Sequence, residues 1–206
     1  MNSFDMLAND DQLQKTVLNL KKHNINAIVV DNKSNAKKNV LELIPQGVSV
    51  MNGASRTLEQ IGFIEYLKSG DHGWNNYHET IVTEKDPKKQ SVLRKHATLS
   101  DFYLGSVHAV TENGELLIAS NTGSQLPHIV FSSNNLIFVV GTQKIVANLT
   151  EAFDRLEKYI VPLENENMQQ KYGINTQINK IVIVKGENPM MGRKVTIIFV
   201  KEKLGF

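Results

Sequence analysis

Three short stretches carry the residues best suited to hold a ligand: Asn52-Gly53-Ala54-Ser55, Asn121-Thr122-Gly123-Ser124 and Gly141-Thr142-Gln143-Lys144. Each follows an apolar run and precedes a helix-like one. Free N–H groups at such a turn suit phosphate or carboxylate, and glycine lets the backbone approach the anion closely. Lys144 would add a full positive charge. In an open α/β sheet these turns lie beyond the carboxyl ends of the strands, where ligands bind. The three are therefore expected to converge on one anion pocket. Strand-to-helix turns need glycine and capping residues whether or not anything binds, so each one alone is weak evidence.

Other residues invite chemistry and mostly decline it. No junction reads G-x-G-x-x-G or G-x-x-x-x-G-K-[ST], which argues against a dinucleotide site and a P-loop. Ser124 lacks the G-x-S-x-G setting of a hydrolase nucleophile. Glu112 and Glu115 flank Asn113-Gly114. A desolvated carboxylate beside such a turn can act as nucleophile or base, whereas a solvated one merely keeps a hairpin soluble. No histidine pair has the i, i+4 spacing with glutamate of a metal hydrolase. His72 and His78, with Asp71 and Glu79, could gather a metal; the plainer reading is a polar segment, and no metal is expected. His108 lies in a strand-like run whose alternation turns it inward, as a hydrogen-bonded interior histidine.

The elements that would position these residues alternate. Helical periodicity runs over 5–22, 34–43, 86–100 and 148–160, the last with Asn148 and Glu151 as a capping pair. Ser55 caps a helix to about Lys68. Residues 124–132 allow a short helix with Pro127 in its first turn, and 163–172 a polar one. Apolar runs at 25–31, 48–52, 107–111, 115–120, 135–140, 181–185 and 195–201 suit strands. Asn113-Gly114 joins the third and fourth into a hairpin. The loop with Gly186, Pro189 and Gly192 would pair the last two antiparallel. Residues 69–85, holding Gly70, Gly73 and Trp74, read as irregular and as a flap over the pocket. Together these give an α/β fold with a mixed, mostly parallel sheet and helices on both faces.

Composition narrows the field further. The chain has 206 residues, 41% hydrophobic and 21% charged, enough for a self-supporting core. Lys and Arg number 23 against 21 Asp and Glu. That balance, and a basic run (Lys85, Lys88, Lys89, Arg94, Lys95) without interleaved aromatics, argues against a nucleic-acid partner. The absence of cysteine removes disulfides, thiolate metal sites, thiol nucleophiles and Cys-ligated iron–sulfur clusters. No apolar run approaches a membrane span, and the N-terminus lacks a signal-peptide pattern. The expectation is a soluble, cytoplasmic protein.

Five pieces keep order and spacing over residues ~48–206: AVTENG (109–114), TGSQLP (122–127), GTQKIV (141–146), PLE (162–164) and the terminal Leu204-Gly205-Phe206. The ordered set resembles the LUD (lactate-utilisation) domain family, most nearly its short stand-alone LutC/YkgG-like members. In this resemblance Thr111, Glu112 and Gly114 match the family's hairpin. Gly123, Ser124 and Gln125 match its T-G-S-Q-L-P stretch, and Gly141 and Lys144 its G-T-Q-K-I-V stretch. Asn52, Gly53, Ser55 and Thr57 resemble the phosphate or carboxylate loop of sugar-phosphate proteins of the same fold group. After PLE, Asn165-Glu166-Asn167 departs from the family's charged pattern.

The resemblance implies a NagB/RpiA/CoA-transferase-like fold and a part in oxidising L-lactate to pyruvate beside partner subunits. One such partner carries iron–sulfur clusters fused to a LUD domain; a chain without cysteine is not that subunit. The expectation is a single domain over 1–206, with an N-terminal helix and strand extension (1–45) on a core (46–206). It would be cofactor-free, binding a small anionic metabolite (carboxylate or phosphate), the iron–sulfur LUD subunit, or both. Three alternatives stand beside it. Glu112-Asn113-Gly114 is similar to the E-N-G of CoA transferases, whose glutamate forms a thioester with CoA. A sugar-phosphate-type enzyme is the second. The third is a metabolite sensor, monomer or homodimer.

Overall fold

A computed structural model describes residues 3–206. In chain order its strands are β1 (Ile25–Val30), β2 (Ser49–Asn52), β3 (Asn75–Asn76), β4 (Phe102–Gly105), β5 (Ala109–Thr111), β6 (Leu116–Ser120), β7 (Asn135–Gly141), β8 (Ile145–Val146), β9 (Lys180–Val184) and β10 (Lys194–Val200). Its α-helices are α1 (Asp10–Lys22), α2 (Lys33–Leu43), α3 (Arg56–Gln60), α4 (Phe63–Ser69), α5 (Tyr77–Thr83), α6 (Pro87–His96), α7 (Leu149–Arg155) and α8 (Val161–Tyr172).

The strands divide between two sheets. Six run parallel in the order β1-β10-β7-β4-β2-β3. Four form the order β8-β5-β6-β9, with β5 parallel to β8 and antiparallel to β6, and β6 antiparallel to β9. Period-2 alternation sorts their side chains into three cores. Ile137, Val139, Ile198 and Val200 meet Ala36 and Val40 of α2, Leu58 of α3 and Phe63 of α4. Leu136, Phe138, Val195 and Ile197 face the other way, onto Leu13 and Leu20 of α1 and onto Val110, Leu116 and Ile118 of the second sheet. The outer face of that sheet, Ala109, Leu117 and Ala119, lies under Ala152, Leu156 and Ile160. The α/β class and the mainly parallel strand pairing therefore hold, with the antiparallel pairs confined to the second sheet.

Several local expectations change. The last two strands do not pair: β10 sits between β1 and β7, whereas β9 edges the other sheet. β4 is an additional buried strand between β2 and β7. Residues 149–172 form one nearly continuous helix, because a π-turn at Leu156–Ile160 joins α7 to α8 and puts Pro162 in the first turn of α8, where a missing N–H is harmless. The helix after Ser55 is broken by Gly62 at φ +72° into α3 and α4. The first helix starts at Asp10, capped by Asn9 and Gln12. Residues 126–132 form the expected short helix, with Pro127 in its first turn and π-type bonding over His128–Ser132.

The segment 69–85 is ordered into β3 and α5, and Trp74 is buried against Phe63 and His72. It does not line the cavity described below. Residues before 46 supply α1, β1 and α2, which enter two of the three cores. No helix among the described residues is long and apolar enough to cross a membrane.

Candidate functional site

A cavity of about 380 Å³ opens beyond the carboxyl ends of β2, β4 and β6. All three glycine-bearing turns reach it: the first through Gly53, Ala54 and Ser55, the second through Asn121, Thr122 and Ser124, the third through Lys144. α8 adds Glu164 and Met168, and the C-terminal tail adds Gly205 and Phe206. The size is that of a small-molecule site.

Lys144 is buried, with 4% of its surface exposed. It follows β7 in a tight 3-10 turn, Thr142–Lys144. Its Nζ donates to Ser106 Oγ at 3.1 Å, Thr57 Oγ1 at 3.3 Å and the Val107 carbonyl at 3.3 Å. All three acceptors are neutral, and none of the ion pairs among the described residues includes this lysine. Burial, and after it the guanidinium of Arg155, push its pKa down to about 7.

Two groups behind Lys144 set the sign of the site. Arg155 on α7 is fully buried; its Nη1 donates to the His108 carbonyl at 2.8 Å, while Nε and Nη2 have no hydrogen-bond partner. The guanidinium lies 5.3 Å from the centre of the Tyr159 ring. The Tyr159 hydroxyl bonds to Asp5, which also pairs with Lys203 at 2.6 Å. Burial lowers the pKa of Arg155 to about 10, with Tyr159 and Asp5 opposing the shift. His108 lines the cavity. The Ala119 N–H donates to its Nδ1 at 3.1 Å, which assigns the ring proton to Nε2. Burial, Lys144 and Arg155 together hold its pKa down to about 3, so the ring is neutral. Lys144 and Arg155 are thus two buried basic groups that make no ion pair within 4 Å among the described residues, with Asp5 acting on Arg155 only from a distance.

The remaining candidates separate cleanly. Thr57 contacts Lys144. Ser55 caps α3 by accepting the Leu58 N–H at 3.3 Å. A Cβ on Gly53 would collide with the Tyr103 hydroxyl, which itself bonds to Gln125 Oε1 at 3.3 Å. Gln125 in turn donates to the Ala119 carbonyl at 3.0 Å. Asn52 is buried behind these, its Nδ2 on the Gly53 carbonyl, and does not line the cavity. Gly123 and Gly141 serve backbone geometry beside it. Gly123, at φ +84°, lies against the stem of Lys180. At Gly141 a Cβ would sit 2.7 Å from the Glu202 carbonyl oxygen and 2.8 Å from the Leu204 nitrogen, where the tail crosses.

The hairpin residues Thr111, Glu112 and Gly114 do not line the cavity; Glu112 and Gly114 dock on α1. Glu112 accepts from Lys15 Nζ at 2.7 Å and Gln12 Nε2 at 3.2 Å, and its carbonyl accepts from Asn19 Nδ2 at 2.8 Å. The Lys15 hydrogen bond leads in holding its carboxyl below the usual range. Thr111 Oγ1 bonds to Glu115 across the turn. Gly114, at φ +89°, brings the hairpin against the backbone of Asn19 and Leu20. His72 turns inward, stacks on the Trp74 ring and accepts the Trp74 backbone N–H at its Nδ1; among the described residues no group of three His, Asp or Glu side chains could hold a metal.

The LUD domain family matches this chain over residues 13–198. The chain belongs to the LUD domain family. The crystal structure of a DUF162 family protein from Deinococcus radiodurans superposes on this LUD domain with a TM-score of 0.59 at 12% identity, over 95% of this chain and 99% of that one. Ribose 5-phosphate isomerase A from Neisseria gonorrhoeae aligns with a TM-score of 0.40 at 15% identity, over 84% of this chain and 94% of that one. No curated protein matches.

Sequence reasoning missed four residues of the LUD domain's cavity region: Ser106, Tyr103, Glu164 and Arg155. Glu164, within the PLE stretch, is the acid among the described residues that lines the cavity. Burial raises its pKa, with the Asn167 amide at 3.2 Å opposing. Arg155 carried a legible signal, an arginine on the apolar face of the 148–160 helix. His108 was read as a hydrogen-bonded interior residue and is one; its other edge belongs to the site.

Proposed function

We propose that this LUD domain serves the oxidation of L-lactate to pyruvate in the cytoplasm as a cofactor-free component. In this reading it holds a small anionic metabolite at Lys144 and works beside an iron–sulfur LUD subunit. Family membership supports the setting. The observation that carries the ligand class is Lys144: a buried ammonium with neutral acceptors only, next to Arg155 and a histidine kept neutral. A carboxylate or phosphate entering the cavity supplies the missing negative charge. Hydroxyls of Ser55, Thr57 and Ser106 offer further donors, and the neutral His108 offers its Nε2–H. The CoA-transferase alternative is disfavoured by the same geometry, since Glu112 is tied to Lys15 and faces no part of this cavity.

Calorimetric titration with lactate, pyruvate, inorganic phosphate and sugar phosphates tests the ligand. One of them should bind to the wild type and raise its Tm, and K144M should lose that binding while remaining folded. A flat response to all four classes in the wild type overturns the anion site. Co-purification with an iron–sulfur protein tests the partner separately.

A further inference from the structure

We propose that Lys144 is a nucleophile whose Nζ forms an imine with a small carbonyl compound bearing an anionic group. A 2-oxo acid and a phosphorylated ketone both meet that description. The proposal rests on the anion-pocket reading above and goes beyond it, because it asks the lysine to react and not only to attract.

Two observations on the geometry lead there, and one on charge supports them. The Nζ lies on the wall of a cavity large enough for a substrate, yet has no carboxylate to keep it permanently ionised. Two of its three partners, Thr57 and Ser106, are hydroxyls. A hydroxyl that accepts from an ammonium can rotate and donate to an amine lone pair, so the site accommodates both forms; only the Val107 carbonyl is confined to accepting. The Arg155 guanidinium behind it disfavours the charged amine, the arrangement that activates a lysine beside a second cation. The His108 Nε2–H, on the cavity wall, suits the anionic group of the incoming compound.

The balanced step is simple. The neutral Nζ attacks the carbonyl carbon, and a proton passes from nitrogen to the former carbonyl oxygen, giving a carbinolamine. The C–O bond then breaks, and the oxygen leaves as water with a proton taken up from solvent. The products are a protonated imine on Lys144 and one water, with one solvent proton consumed. No oxidant or reductant is consumed.

The test is reductive trapping. The full chain is incubated separately with pyruvate and with dihydroxyacetone phosphate, reduced with borohydride, digested and mapped by mass spectrometry. The expected result is a reduced adduct on Lys144 from one of the two, at occupancy at least tenfold above that of exposed Lys38 or Lys68. The reactive compound tells carboxylate from phosphate. K144R should stay folded and lose the adduct. Lys144 unmodified by both compounds, or modified no more than Lys38, overturns the proposal. If pyruvate still raises the Tm in that case, the anion reading survives alone; without a Tm shift for any anion, both fall.

Discussion

Lys144 Nζ and Thr57 Oγ1 meet at 3.3 Å across 87 residues of chain, and Gly205 closes over the pair. Gly205 has φ +64°, and a Cβ there would lie 2.5 Å from Thr57 Oγ1 and 3.0 Å from Lys144 Nζ. G205A should therefore lose about 1–3 kcal/mol from left-handed strain and displacement of the tail, and should weaken anion binding. G192A is the comparison: it shares a positive φ, +69°, but its Cβ would meet open space. It should show the strain without the binding loss. Urea unfolding and calorimetry on both variants check this.

Lys144 gives the protein a pH signature. Its pKa falls from 10.5 to about 7 on folding. Between those values the unfolded chain binds a proton that the folded chain has lost, so stability rises with pH, by up to about 1.4 kcal/mol per unit. Below about pH 7 the buried charge exerts its full penalty. Two charged or titratable groups behind it hold still between pH 7 and 9: His108 is neutral above about 3 and Arg155 charged below about 10. K144M should flatten this slope. At pH 6 it should be more stable than the wild type by about 2 kcal/mol, the lost hydrogen bonds offsetting part of the gain. By pH 9 the advantage should be gone. Urea midpoints at the two pH values decide it.

Arg155 should tune that titration without touching the ligand. R155M removes the second cation, so the stability rise of the preceding paragraph should begin at a higher pH, by about one unit. The trapping rate at Lys144 should shift in the same direction. A loss of stability with no shift of either midpoint would leave Arg155 a purely structural group.

Glu112 should behave as an anchor. Its pair with Lys15, whose side chain is 58% exposed, is worth under about 1 kcal/mol, so E112Q should be mildly destabilising at pH 7. A carboxylate with a lowered folded pKa stabilises above its unfolded value of 4.5 and loses that contribution as pH falls through the lower folded value. The difference from wild type should fade below pH 4. Anion binding should be unchanged, and hydroxylamine after acyl-CoA treatment should find no thioester at Glu112.

The legible parts of this fold were those decided locally. Asn148 and Ser55 cap where their spacing placed them, and Asn113-Gly114 turned a hairpin. What needed tertiary knowledge was missed. Phe102–Gly105 is only four residues, with Phe102 and Leu104 in one core and Tyr103 in another, and so shows neither alternation nor length. KIVIV and KVTIIFV look alike as strings, yet β9 is partly exposed at an edge and β10 buried in the centre. Turn chemistry identified the region around Lys144, but not that the hairpin faces α1, because that depends on how the second sheet stacks on the first.

β10 lies between β1 and β7 in the parallel sheet. A ribosome releases β1 more than 160 residues before it releases β10, and until then β1 has no strand to pair with. The nascent chain therefore emerges with the row of hydrogen-bonding groups along β1 and the apolar residues of β7 open to other chains, the exposure that chaperones recognise. The sheet closes only when residues 194–200 are available, so ribosome-stalled chains arrested before residue 194 should remain protease-sensitive throughout.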